Sequence, residues 1–154
     1  MYAALSIRNG EVNVVKLLIE AGLDINAADS YGSTALIYAA WNDHADSVKL
    51  LVEEGADVNA ASQSGWTALM YAASKGYVHI VEILIEAAAN VNAVNQYGCT
   101  AWNYANGNTD VIDQLLQAGY LANDSLSCYN RQPIWSSSQP KKNVAGISKY
   151  AGPV

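Results

Sequence analysis

GWTALMYAASKGYVHIVEILIEAAANVNA, residues 65–93, decides the fold. A turn at Gly65 leads into a short run of small and apolar residues, and Gly76 breaks that run. A longer apolar segment follows, in which Ile80, Val81, Leu84 and Ile85 fall at the i, i+3, i+4 spacing of one helical stripe. Such a helix pair encloses too little core to stand alone, so it must stack on neighbours.

Those neighbours are present on both sides. Asn26, Asn59 and Asn92 recur every 33 residues. The columns Gly32, Gly65, Gly98, then Thr34, Thr67, Thr100, and then Tyr38, Tyr71, Tyr104 keep the same period. Each threonine precedes a helical run whose free N–H groups it can cap. Ala39-Ala40 and Ala72-Ala73 keep the first helix thin, which lets adjacent repeats approach closely.

The period and the segments GSTALIYAA (residues 32–40) and GWTALMYAA (65–73) resemble the ankyrin repeat, as do the second helices, residues 48–60 and 81–93. The resemblance covers about residues 1–123. It implies an all-α solenoid of about four helix-turn-helix repeats with short protruding turns, at about 1–28, 29–62, 63–95 and 96–123. The family's Thr-Pro-Leu-His motif is altered. Ala35, Ala68 and Ala101 replace the proline, and Ile37, Met70 and Asn103 replace the histidine. This removes an N1 proline and a side-chain hydrogen bond. The family also implies that His44 makes an inter-repeat hydrogen bond.

Irregularities in the pattern carry predictions. In the first repeat, residues 3–8 and 12–21 are the expected helices, with Arg8, Asn13, Lys16 and Glu20 outward. Gly10, Gly76 and Gly107 mark the turn between helices, but the second repeat has Asp43 there. Gly22, Gly55 and Gly119 follow the second helix, but the third repeat has Ala88. Left-handed backbone is expected at both exceptions. The fourth repeat is two residues short, most simply within 105–108. Trp102 stands where leucine is usual, which predicts altered packing at that end, with Asp110, Asp113 and Gln114 facing water.

Residues 124–154 form an irregular tail that holds all three prolines. Leu126, Tyr129, Ile134, Trp135, Ile147 and Tyr150 could anchor it on the last repeat or on a partner, with 126–135 the segment that would dock. Charge is divided in the same way. Residues 1–119 carry 13 acids against 4 bases, net −9, and residues 120–154 carry 1 acid against 4 bases, net +3. The acidic body speaks against nucleic acid, which requires clustered Lys and Arg.

No apolar run approaches the ~18 residues of a membrane helix, and residues 1–7 lack a basic n-region. A cytoplasmic monomer, away from membranes, with Cys99 and Cys128 reduced, is the expectation. The sequon Asn123-Asp124-Ser125 is then unused. His79 and the carboxylates Asp43, Asp46, Glu53 and Glu54 read as solvated surface. No phosphate loop, metal cluster or nucleophile elbow appears, so neither enzymatic activity nor a cofactor or metal is expected.

Function is therefore sought in binding. In ankyrin-like proteins the turn tips and the first-helix face line a groove. By register these positions are Tyr31, Ser33, Trp41 and Asn42, then Ser64, Trp66, Ser74 and Lys75, then Gln96, Tyr97, Cys99 and Asn106. Tyr and Trp supply much of the energy in many interfaces. A non-enzymatic module holding a protein partner is the leading expectation, and Cys99 is read as an exposed thiol. The competing reading has Trp66 and Tyr97 merely shielding the turns. The Tyr38, Tyr71, Tyr104 column reads as structural. Two other roles stay open: an effector or targeting subunit whose basic tail is a recognition or secretion signal, and a fragment regulating an attached enzyme.

Overall fold

The computed structural model describes residues 12–121 and Cys128. Seven helices lie within this span: α1 (Val12–Glu20), α2 (Ala35–Trp41), α3 (Ala45–Glu53), α4 (Ala68–Lys75), α5 (Val78–Glu86), α6 (Ala101–Tyr104) and α7 (Thr109–Gln117). The expected first helix at 3–8 and the tail anchors from Leu126 to Tyr150 lie outside the described residues. In α1, Asn13, Lys16 and Glu20 face water, as expected.

Each repeat folds back on itself, pairing α2 with α3, α4 with α5 and α6 with α7. The pairs stack side by side in two layers. One layer places α4 between α2 and α6, and the other runs α1, α3, α5, α7. Ala39, Ala40, Ala72 and Ala73 are fully buried, so the first-layer helices meet without large side chains between them. The core above them comes from Leu36, Leu69, Met70, Val48, Leu51, Ile80, Val81, Leu84, Val111 and Leu115.

Helix starts follow from the threonine column. Thr34 Oγ1 accepts from the Ile37 N–H at 3.4 Å, and Thr67 Oγ1 from the Met70 N–H at 3.3 Å. The fourth repeat differs. Asn103 Oδ1 there accepts from both the N–H (2.8 Å) and the hydroxyl (3.0 Å) of Thr100. A polar residue in the family's histidine column thus retains a side-chain bond at this one repeat.

The asparagine column ties each repeat to the next. Asn26 Oδ1 accepts from the Asp57 N–H at 2.7 Å, Asn59 Oδ1 from the Asn90 N–H at 2.7 Å, and Asn92 Oδ1 from the Leu121 N–H at 2.8 Å. His44 does not contribute a comparable bond. It sits at the α3 N-cap with no capping bond, and its Nδ1 is buried without a partner. The inter-repeat bond expected of it is absent.

Both expected irregularities are left-handed, with φ 61° at Asp43 and 63° at Ala88. At Gly22, Gly55 and Gly119, which are equivalent to Ala88, an added Cβ would meet nothing within 4 Å, so the demand there is conformational and not steric. Ala88→Gly is therefore expected to stabilise the fold by about 1 kcal/mol. A thermal melt should show a rise of a few degrees; a fall would contradict the register.

In the fourth repeat, α6 is cut to four residues, and Asn106 (φ 50°) and Gly107 (φ 77°) turn the chain directly into α7. The shortening falls where the period predicts it. Trp102 is half-buried and stacks on Tyr120, with ring centroids 5.4 Å apart and planes within 7°. Asp110 and Asp113 face water, but Gln114 does not: it is half-buried, and its Oε1 is enclosed without a partner.

Candidate protein-binding surface

Three turns project from the stack, each built around a short polar side chain. Asp29 Oδ1 accepts from the Tyr31 and Ser33 N–H groups at 2.8 and 2.9 Å. Asn95 Oδ1 repeats this with Tyr97 and Cys99 at 2.9 and 3.1 Å. Ser62 Oγ accepts from the Trp66 N–H at 3.2 Å. The turns also bond to one another, Gln63 N–H to Tyr31 O at 2.9 Å and Gln96 N–H to Ser64 O at 3.0 Å.

Behind the turns, five rings form one continuous row across the first-layer helices. Tyr38 and Trp41 lie 6.2 Å apart, Trp41 and Tyr71 5.6 Å, Tyr71 and Trp66 4.7 Å, and Trp66 and Tyr104 4.3 Å. The tyrosines come from the helices of three repeats, and the tryptophans slot between them. Offset ring pairs of this kind add stability beyond their buried area. Trp66 therefore does more than shield a turn, since it joins the third repeat to the fourth. Trp41 remains 45% exposed and Trp66 is half-buried.

The tyrosine hydroxyls are not equivalent. Tyr38 donates to Asp29 Oδ2 at 2.6 Å, and Tyr104 accepts from Asn95 Nδ2 at 2.7 Å. Ser62 occupies the corresponding turn position beneath Tyr71 and is too short to reach it. Ser62 Oγ instead pairs with Ser64 Oγ at 3.1 Å. Burial raises the Tyr71 hydroxyl pKa, with Tyr104 nearby adding to the effect, so Tyr71 stays protonated at neutral pH.

The Tyr38 hydroxyl, opposed by burial and aided by the Ser33 and Tyr31 N–H groups, holds the Asp29 carboxyl below its ordinary 3.8. A lowered folded-state pKa gives stability that is present above the unfolded value and lost as pH falls through the folded one. Asp29→Asn keeps the acceptor used at position 95 but removes the carboxylate. Urea titrations should show wild type ahead at pH 7 and the gap closing below about pH 4. A gap independent of pH would refute this role for the carboxylate.

The remaining candidate residues divide into two sets. Tyr31 (72% exposed), Asn42, Lys75, Gln96, Tyr97 and Asn106 are open to solvent on this side. Asn42 Nδ2 donates to Tyr38 O at 2.8 Å and Ser74 Oγ to Tyr71 O at 2.8 Å, so both also serve helix ends. Ser64 and Ser74 are half-buried.

Two candidates leave the surface. Ser33 is buried because the Asp29 turn folds it inward. Cys99 is not an exposed thiol: it is 1% exposed and forms a disulfide with Cys128, with Cα atoms 5.2 Å apart. The expectation of two reduced cysteines is corrected, and the cytoplasmic reading loses that support.

Exposed acids collect on the other layer, at Asp46 and Glu53 on α3, Glu82 and Glu86 on α5, and Asp110 and Asp113 on α7. His79 lies among them, exposed, 3.5 Å from Glu82. A shallow depression of about 430 Å³ between α3 and α5 is lined by Lys49, Glu53, His79, Glu82 and Glu86. Val52, Ile83 and Ala87 complete its lining between these charged side chains of mixed sign, and it lies away from the ring row. No helix among the described residues is long and apolar enough to cross a membrane.

A family model described as ankyrin repeats (3 copies) matches residues 1–62 and again residues 60–125. Together with the stacked helix pairs, this shows that the chain belongs to the ankyrin repeat family, whose members are generally protein–protein interaction modules. A comparison with curated proteins returned no match.

Proposed function

We propose that the protein is a non-enzymatic interaction module that holds a protein partner along its first-helix face. The continuous ring row from Tyr38 to Tyr104 carries this reading. It offers broad aromatic surface already fixed in place, so little side-chain entropy is lost on binding. Tyr31 and Tyr97 extend the surface at the turn tips, and Asn42 and Lys75 bound its other edge.

Trp41 and Trp66 anchor the partner. Trp41→Ala should weaken capture at least tenfold, the level of an interface hot spot, with the domain still folded and only a modest fall in its thermal melt, because the 45% exposed ring also stacks on Tyr71 of the next repeat. Trp66→Ala should remove binding as well, with a larger loss of stability because its ring also joins two repeats and is half-buried.

A second reading gains support from the Cys99–Cys128 disulfide, which fastens the start of the basic tail to the repeats. In that reading the tail is a recognition or secretion signal and the repeats are its anchor. Deleting residues 136–154 separates the two: the first-helix face predicts unchanged capture, the tail reading a loss.

A further inference from the structure

Resting on that reading, the polar atoms of the row define what kind of segment it accepts. Among the described residues, neither the Trp41 nor the Trp66 Nε1–H makes a hydrogen bond, and the Tyr71 hydroxyl makes none either. Trp66 and Tyr71 are half-buried, yet these atoms are not among the enclosed unpartnered ones, so solvent reaches them. An indole is a donor only, and a phenol held neutral readily donates. The face thus presents three donors spaced along an aromatic surface. Of the candidate residues on it, only Lys75 is charged, and the Asp29 carboxylate is occupied by its own turn.

A complementary ligand supplies acceptors at intervals, buries apolar rings and brings few donors or charges. An α-helix satisfies most of its carbonyls internally and would leave these donors unmatched. A β-strand brings N–H groups that need a strand edge, whereas this face is made of helices whose backbone is already paired. Nucleic acid meets a body of net −9. A polyproline II segment fits each requirement: its backbone carbonyls are unpaired, prolines carry no N–H, and its rings pack in aromatic-lined grooves. The ring-to-ring steps of 4.3 to 6.2 Å give the row a path of at most roughly 20 Å, which is about two turns of a polyproline helix.

We propose that the Tyr38–Tyr104 ring row binds an uncharged, proline-rich segment of a partner protein in the polyproline II conformation. In this complex the Trp41 and Trp66 indoles and the Tyr71 hydroxyl donate to its carbonyls. The test is a titration of the full-length 15N-labelled protein with acetyl-decaproline, following the indole N–H resonances assigned by Trp→Phe variants. The Trp41 and Trp66 signals should shift saturably, while that of Trp102, stacked on Tyr120, should not. Tyr71→Phe should weaken binding about two- to tenfold, the loss of one hydrogen bond. A Gly-Ser decapeptide should leave all signals in place.

Unmoved Trp41 and Trp66 signals at millimolar decaproline, or equal shifts with the Gly-Ser peptide, overturn the proposal. So does stronger binding, at the same indoles, of a synthetic peptide of residues 129–150, which would make the chain's own tail the occupant. If decaproline fails while a captured partner still depends on Trp41, the ligand class is wrong and the interaction face stands. If both fail, the face itself is wrong.

Discussion

Gly65→Ala is expected to destabilise the protein by about 2–5 kcal/mol, a sizeable share of the total stability of an ordinary domain. Two costs combine. The backbone there has φ 78°, where any Cβ is strained. The new Cβ would also lie 2.8 Å from Asn95 Cα and 3.1 Å from Gln96 N. Those are backbone atoms of the next turn, held by the Gln96 N–H bond to Ser64 O, so no side chain can swing aside. Gly55→Ala provides the control. Its φ is 87° but its Cβ would meet nothing, and about 1 kcal/mol is expected. Urea midpoints for the two variants check the difference, and equal losses would show that the turns are not in close contact.

Leu84→Ala should cost about 2–5 kcal/mol, the range for emptying a fully buried leucine site. Leu84 lies on α5, which packs against α3, α4 and α7, so a cavity there loosens repeats on both sides. Leu115 is equally buried, but its helix α7 packs mainly on α5 and α6 among the described helices. Leu115→Ala should fall nearer the low end of that range and loosen the last repeat before the others. Hydrogen exchange of α3 and α5 amides distinguishes the two cases: protection drops in Leu84→Ala and is largely kept in Leu115→Ala. Equal loss in both would mean that the stack unfolds as a single unit.

The parts of the fold that depend on local chemistry were legible in the sequence. The 33-residue period located the helices, and the glycine columns identified Asp43 and Ala88 as left-handed. The alanine pairs signalled thin, closely packed first helices. What depends on proximity between repeats was not legible. The asparagine column marked the period, yet its bonds to the N–H groups of Asp57, Asn90 and Leu121 appear only once the repeats are stacked. The tyrosines read as structural and the tryptophans as free surface. They proved to be one row, because Trp41 meets Tyr71 and Trp66 meets Tyr104 across repeat boundaries. Ser33 was misplaced because the Asp29 turn draws it inward. The 29-residue separation of Cys99 and Cys128 carried no sign of their pairing. The repeat column implies a bonded His44 and a capping last repeat implies an exposed Gln114, but neither pattern shows that each encloses an unpartnered polar atom.

Affinity capture with the intact chain, run in parallel with the Trp41→Ala variant, bears most directly on the ring row as the interaction face. Trp41 is the most exposed ring of the row's tryptophans and lies at the C-terminal end of α2, so its removal leaves the buried core intact. The partner retained by the wild-type chain should be lost or held at least tenfold more weakly by the variant, with both proteins folded and melting cooperatively above the assay temperature. Undiminished capture by a folded Trp41→Ala variant, and likewise by Trp66→Ala, would contradict it.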